Sequence, residues 1–236
     1  MTAPRPPFDA VIFDCDGVLV DSEVIAMRVE CEELGKLGLH YSPAEFCRRF
    51  MGLTNREFFA ELDRDRRARM GRPLPDSFVT ARRARLEAAF EDCLVAVEGA
   101  REAVMAAPAP VAVASSSGQK GLEVKLGLAG LRDLFDPHIY GGDRVPRGKP
   151  DPDLFLLTAR ELGAPPARCL VVEDSLNGIA AGLAAGMTVW GFTGGGHADV
   201  AFAQVQLARG AQASFGHWDE VRAEFETWTT AERLAV

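Results

Sequence analysis

Cysteine is sparse and poorly spaced for cross-linking. Cys15, Cys31, Cys47, Cys93 and Cys169 stand singly, with no Cys-x-x-Cys pair and an odd total. Disulfide frameworks and zinc sites need tighter patterns, so these thiols are expected to be reduced and mostly buried. Long apolar runs are also lacking. The longest uncharged stretch, Ser175 to Ala198, covers 24 residues but is interrupted by Asn177 and by Gly178, Gly182, Gly186, Gly191 and Gly194–Gly196. It fits a buried Ala/Gly helix followed by a strand better than a membrane span. The opening MTAPRPPFDA has no apolar h-region, so no secretory signal and a cytoplasmic location are expected. A basic excess is missing: 34 acidic side chains against 26 basic give a net charge of −8. That argues against nucleic acid or an anionic membrane as main partner. Neither internal repeats nor low-complexity segments are present. What remains is ordinary globular composition, 47% hydrophobic and 25% charged, over 236 residues. Such a chain can bury a sizeable core in one large domain or in one domain plus a smaller one.

Short apolar runs alternate with longer helical patterns. The strand candidates are AVIFD (10–14), VAVAS (111–115), HIY (138–140), RCLVVE (168–173), TVWGF (188–192) and, more weakly, AQASF (211–215). Nearly continuous apolar runs suit parallel strands covered on both faces. Helices are expected over Asp153–Leu162, with Asp151 as N-cap and Pro152 at N1, and over Leu176–Ala185. The alternation predicts a doubly wound, mostly parallel α/β sheet of Rossmann type. Residues 22–92 break the rhythm. They hold no convincing strand and read as about four helices, punctuated by Gly38, Ser42-Pro43, Gly52 and Gly71-Arg72-Pro73-Leu74-Pro75, with a capping-box pattern at Ser42-Pro43-Ala44-Glu45. This is too long for a crossover. The expected organisation is a core of residues 1–20 and 93–236, with an inserted helical domain over 21–92.

Strand 1 runs into Phe13-Asp14-Cys15-Asp16-Gly17-Val18-Leu19-Val20-Asp21-Ser22. Two carboxylates at i and i+2 of extended chain face one side, at the strand end where open α/β sheets bind ligands. By itself Asp-x-Asp-Gly also reads as a plain turn. The apolar residues after Gly17 exclude an EF-hand loop. Three more elements follow in order: Ser115-Ser116-Ser117-Gly118 after VAVA, Lys149 in Arg147-Gly148-Lys149-Pro150-Asp151-Pro152-Asp153, and Glu173-Asp174-Ser175 after CLVV. A serine run is often a loop and a Gly-Lys-Pro often a turn. An acidic pair directly after four apolar strand residues is unusual, because buried carboxylates need partners. Lysine is scarce, four of 26 basic residues, which sets Lys149 apart.

Together, FDCDGVLVDSE, VASSS, GKPDPD and VVEDS resemble the four motifs of the haloacid dehalogenase-like (HAD) hydrolases. The closest subgroup pattern carries a helical cap after the first motif, as in phosphoglycolate phosphatase and β-phosphoglucomutase-like enzymes. The resemblance covers nearly the whole chain. It implies a HAD-like α/β core, an α-helical cap domain and Mg²⁺-dependent phosphoryl transfer. Carried over by position, Asp14 is the nucleophile that becomes an aspartyl phosphate, and Asp16 is the general acid/base. Ser115, Ser116 and Lys149 bind phosphate. Asp174 and Asp14 hold the metal by side chain and Asp16 by its main-chain carbonyl, while Glu173 is a ligand or stands just behind the ligands. Asp21 and Ser22 complete the first motif and are expected to hold its loop by local hydrogen bonds.

Asp16 separates phosphoryl transfer from dehalogenation, since haloacid dehalogenases lack an aspartate there. A mutase shares the aspartyl phosphate, but β-phosphoglucomutases typically carry a histidine shortly after the first motif. Glu23-Val24-Ile25-Ala26-Met27-Arg28 has none, which favours water as acceptor. A receiver-type phospho-aspartate switch lacks both the second aspartate and the helical insert. The expected activity is hydrolysis of small phosphate monoesters, such as sugar phosphates or phosphorylated sugar acids, by a monomer or small homo-oligomer. Gly52-Leu53-Thr54-Asn55-Arg56 resembles the cap loop of the subgroup, so Asn55 or Arg56 could read the substrate; a solvated helix position is the other reading of Arg56. Arg64, Arg66, Arg67, Arg69 and Arg72, interleaved with Asp63 and Asp65, read as a solvated face. The four histidines form no ligand spacing. Gly194–Gly196 with His197 reads as a flexible loop near the site. Residues 21–92 hold 13 basic and 14 acidic side chains, so most of the −8 belongs to the core.

Overall fold

Every apolar run foreseen as a strand becomes one. The computed structural model describes residues 7–50, 53, 55–196 and 200–234. Its strands are β1 (Ala10–Phe13), β2 (Val111–Ser115), β3 (Ile139–Gly141), β4 (Cys169–Glu173), β5 (Thr188–Phe192) and β6 (Ala213–Phe215). They form one sheet in the order β3-β2-β1-β4-β5-β6, with every neighbouring pair parallel. The helices are α1 (Ser22–Lys36), α2 (Pro43–Phe50), α3 (Asn55–Met70), α4 (Ser77–Cys93), α5 (Ala100–Met105), α6 (Gln119–Leu128), α7 (Asp153–Glu161), α8 (Leu176–Ala184), α9 (Val200–Ala208) and α10 (Trp218–Leu234). The chain separates into two compact units, Met1–Ser22 with Leu94–Val236, and Glu23–Cys93.

In the sheet unit, central strands β1 and β4 are buried along their full length. This is why they read as unbroken Ala-Val-Ile-Phe and Cys-Leu-Val-Val: neither face meets water. Beneath one face, Ile12, Ala112, Ala114 and Val171 pack with Leu154 and Phe155 of α7 and Ile179 of α8. Helix α8 lies close because its face is made of small residues. A Cβ on Gly182 would run into the Val189 side chain on β5. The strand order reverses at β1, where the chain leaves β3 and returns as β4 on the other side of β1. Val11, Ile12 and Phe13 pair with Leu170, Val171 and Val172, so the ends of β1 and β4 lie level. Such a switch point leaves a crevice at the carboxyl ends of the strands.

The helical unit has its own core of Leu34, Leu39, Phe46, Phe50, Phe58, Leu62 and Phe78. Its rings meet mostly edge to face, for example Phe50 and Phe58 at 5.5 Å between centroids. The Ser42 half of the capping box forms, its hydroxyl accepting from the Glu45 N–H at 3.2 Å. At α7 the expected cap is displaced. Pro152 takes the N-cap position with no side-chain cap bond, and the helix begins at Asp153. Proline fits the helix entry by its fixed φ, so Asp151 is left outside the helix. No helix of the described residues is long and apolar enough to cross a membrane.

Trp218, at the start of α10, ties the far end of the chain to the loop after β1. It is 1% exposed, stacks on Phe192 at 4.5 Å, and donates its indole N–H to the Val18 carbonyl at 3.1 Å. Trp218→Ala is expected to cost about 3–5 kcal/mol by cavity formation, read as a lower urea midpoint with an unchanged m-value. A midpoint shift near zero would show that the ring carries no packing load.

Candidate active site

The loop after β1 is held by its own backbone. Val18, Leu19 and Val20 donate to the Cys15 carbonyl at 3.3, 2.9 and 3.0 Å, and the Gly17 N–H donates to Val20. Gly17 has φ 74°, a left-handed conformation that glycine adopts without steric cost. This turn fixes Asp14 and Asp16 at the strand end. Asp14 donates its N–H to the Val172 carbonyl at 2.9 Å, which sets it beside the acidic pair that ends β4.

Asp14, Glu173 and Asp174 form one buried cluster, each offering a carboxylate oxygen within 4.8 Å of the others. Lys149, 2% exposed at its side chain, donates to Asp14 Oδ1 at 2.5 Å, to Glu173 Oε1 at 2.7 Å and to the Ala114 carbonyl at 2.9 Å. The second Glu173 oxygen accepts from the Ser175 N–H at 2.7 Å and the Ser175 hydroxyl at 2.9 Å. Burial pushes the Asp14 carboxyl well above the usual range; Lys149 opposes this, while Glu173 and Asp174 add to it. Burial raises Glu173 too, again against Lys149. Burial works against charge on Lys149, but Asp14 and Glu173 outweigh it and raise its pKa. Burial and mutual repulsion thus raise Asp14 and Glu173 in a water-poor place, and Lys149 only partly offsets them.

Asp16 sits in a different environment. Its Oδ1 accepts from the Ser22 hydroxyl at 2.5 Å and from the Lys125 ammonium. Its Oδ2 accepts from Ser117 at 3.0 Å and Ser115 at 3.2 Å. Burial alone would raise this carboxyl, but the Lys125 charge and the bonds from Lys125, Ser22 and Ser117 hold it down at about 2. Two aspartates two residues apart are therefore driven in opposite directions.

Fold thus brings together Asp14, Asp16, Ser115, Lys149, Glu173 and Asp174 from four separate segments. Ser116 is exposed on the loop after β2. Arg56 is exposed in the first turn of α3, and Asn55 begins that helix; Gly52 and Thr54 lie outside the described residues, as does His197. Ser22 bonds the Asp16 carboxylate itself, and Asp21 Oδ1 accepts from the Gly196 N–H at 3.3 Å, a partner 175 positions away. Both therefore do more than hold their own loop. The Asp16 side chain points into the Lys125 cluster and not into the acidic one.

Three contributors escaped the sequence reading. Ser117 was passed over as one of a run. Gln206, fully buried on α9, donates to the carbonyls of Asp174 at 2.8 Å and Phe192 at 3.1 Å and so holds the chain after β4. Lys125 did leave a signal: it falls three residues after Leu122 and one before Leu126, both fully buried, placing a scarce lysine on the core face of α6.

Residues 8–186 match the haloacid dehalogenase-like hydrolase family. The chain is 31% identical to 6-phosphogluconate phosphatase of Escherichia coli K12 over 189 residues, 80% of this chain and 84% of that protein. It is 34% identical to hexitol phosphatase B of the same organism over 190 residues, 79% and 84% of the two chains. A HAD family hydrolase from Deinococcus radiodurans, solved with bound phosphate and sodium, superposes with a TM-score of 0.80. It is 38% identical, and the match covers 95% of this chain and 98% of that one.

The packing of Glu173 gives a direct check on the site. A Cβ on Gly178 of α8 would overlap the Glu173 carboxylate, a buried group with no room to retreat. Gly178→Ala should displace Glu173 from Lys149, lower stability by about 1–3 kcal/mol through overpacking and reduce turnover. Wild-type stability and turnover in that variant would contradict the geometry.

Proposed function

Because the chain belongs to the haloacid dehalogenase-like hydrolases and is a hydrolase of phosphate monoesters, we propose that it works through an aspartyl phosphate on Asp14, with Asp16 as general acid/base and Mg²⁺ as cofactor. The observation that carries this reading is the division of Asp14 and Asp16 between two clusters. One carboxylate faces acidic neighbours and Lys149, and the other faces only donors.

The donor set fits a small hard cation: three carboxylates, with no sulfur or nitrogen ligand in the cluster. Asp14 and Asp174 would hold it together with the Asp16 main-chain carbonyl, while Glu173, whose oxygens are engaged by Lys149 and Ser175, keeps the lysine in place. When bound, the cation neutralises phosphate charge and lets an anionic nucleophile approach.

The chain's own groups do the rest. Lys149, the Ser115 hydroxyl and the N–H groups around Ser116 receive the phosphate oxygens. An Asp14 carboxylate oxygen forms a bond to phosphorus as the ester P–O bond breaks, and Asp16, whose pKa the incoming phosphate charge must first raise from about 2, gives its proton to the leaving alkoxide oxygen. Asp16, now a carboxylate, takes a proton from water as that water attacks the phosphorus of the aspartyl phosphate. Inorganic phosphate leaves and the Asp14 carboxylate is restored. Such a transition state needs positioning and positive charge more than covalent help.

For the substrate, the sugar-acid and hexitol phosphatase relatives support phosphorylated sugars, sugar acids or polyols. The helical unit acts as the cap that selects among them, with Asn55 and Arg56 as reading positions. Cys15, Cys31, Cys93 and Cys169, the cysteines among the described side chains, stand as free thiols, in keeping with a reducing cytoplasm.

Phosphate release from 6-phosphogluconate, hexitol phosphates, β-glucose 1-phosphate and p-nitrophenyl phosphate tests the reading. Asp14→Asn should fall to background while remaining folded; full activity there would overturn the mechanism. Conversion of β-glucose 1-phosphate to glucose 6-phosphate with little free phosphate would make the enzyme a mutase. Adding Mg²⁺ to chelator-treated protein should raise its melting temperature, with a stabilisation of about 2.7 kcal/mol at a hundredfold excess over Kd. Asp174→Asn should abolish that shift, and an equal shift in the variant would remove Asp174 as a ligand.

A further inference from the structure

Helix α6 carries a lysine where its packing calls for an apolar residue. Leu122 and Leu126 are fully buried, and Lys125, on the same face, keeps 9% exposure at its side chain. A buried ammonium is retained only where partners meet it. Here the partner is Asp16, 109 positions earlier, and the Lys125 Nζ also donates to the Ser117 hydroxyl at 2.8 Å. Ser117 in turn donates to Asp16 Oδ2, so lysine, serine and aspartate close a ring.

The four contacts on Asp16 are not equivalent. Ser22, Ser115 and Ser117 are hydroxyls, which rotate and either donate or accept. An ammonium only donates. The Asp16 oxygen that faces Lys125, Oδ1, therefore has to stay an acceptor, which leaves Oδ2 turned to Ser115 and Ser117 at the end of β2.

We propose that Lys125 is a positioning residue for the acid/base: from the core face of α6 it turns Oδ1 of Asp16 toward itself and so fixes where Oδ2 points. This rests on Asp16 being the group that protonates the leaving oxygen. Lys125 contacts Asp16 directly and acts on Asp14 through its charge alone, so its larger effect falls on Asp16. A misdirected acid is costly, since an error of about 1 Å in a reacting group can lose on the order of 100-fold in rate.

The test separates esters by leaving group. Expulsion of p-nitrophenolate needs no proton, whereas expulsion of an alkoxide does, and kcat/KM reports events up to that departure. Lys125→Met keeps the length of the side chain and removes the donor. Its kcat/KM for the best alkyl phosphate of the panel should fall by about 10- to 100-fold, while kcat/KM for p-nitrophenyl phosphate should change by less than about threefold. An equal fall for both esters would mark Lys125 as structural, and no fall for either would leave it without a part in the reaction; both overturn the proposal. Where Lys125→Met does not fold, Ser117→Ala opens the same ring. It should show the same split to a smaller degree, and an equal loss or none would overturn the proposal. Asp16→Asn is the control. A large split there with none in Lys125→Met refutes the positioning role alone, whereas no split in Asp16→Asn removes Asp16 as the acid and the role of Lys125 with it.

Discussion

Three carboxylates meet at the ends of two adjacent parallel strands, and Lys149 donates to two of them. The rest of the sheet unit makes that concentration tolerable. Asp14 is pinned by its backbone to β4, Glu173 accepts from Lys149 and Ser175, and Gln206 holds the Asp174 carbonyl from behind. Gly178 yields the volume the Glu173 carboxylate occupies. Each of these choices costs hydrophobic packing or helix propensity at its own position. Their common return is a set of oxygen donors kept ionisable and close where water is scarce.

A second charge pair, Asp16 with Lys125, lies beside the first and is kept chemically apart from it. Two residues of separation along the β1 loop are enough because Gly17 turns the chain and the serines of the β2 loop close around Asp16. One aspartate is thereby surrounded by acidic groups and the other by donors. Burial and acidic neighbours raise the carboxyl of Asp14, and the donors around Asp16 hold its carboxyl down.

Charge elsewhere has a plainer meaning. In the helical unit the arginine-rich stretch is largely neutralised within itself: Arg67 pairs with Asp63, Arg69 with Asp65, Arg49 with Glu61 and Asp65, and Arg82 with the buried Glu30. The exposed pair of Arg67 with Asp63 adds little stability. Arg64, Arg67, Arg69 and Arg72 are exposed, as a solvated face requires, whereas Arg66 is half-buried. The acid excess of the chain lies in the sheet unit, where part of it is the buried acidic cluster.

Strand positions, helix positions and the four segments of the site were readable along the chain because they rest on local pattern: unbroken apolar runs, a glycine turn after paired aspartates, an acidic pair after four buried residues. Boundaries shifted by a residue or two, and the Asp151 cap failed because Pro152 takes the N-cap position at the helix entry. What sequence could not supply was the partner of each charge. Lys149 reaching both Asp14 and Glu173, and Asp21 bonding Gly196, depend on segments tens to hundreds of residues apart. Lys125 shows the difference most clearly. Its spacing from Leu122 and Leu126 marks it as a buried lysine, and burial demands a counter-charge. Among the chain's acidic residues only the folded sheet, by bringing α6 to the loop after β1, decides that the counter-charge is Asp16.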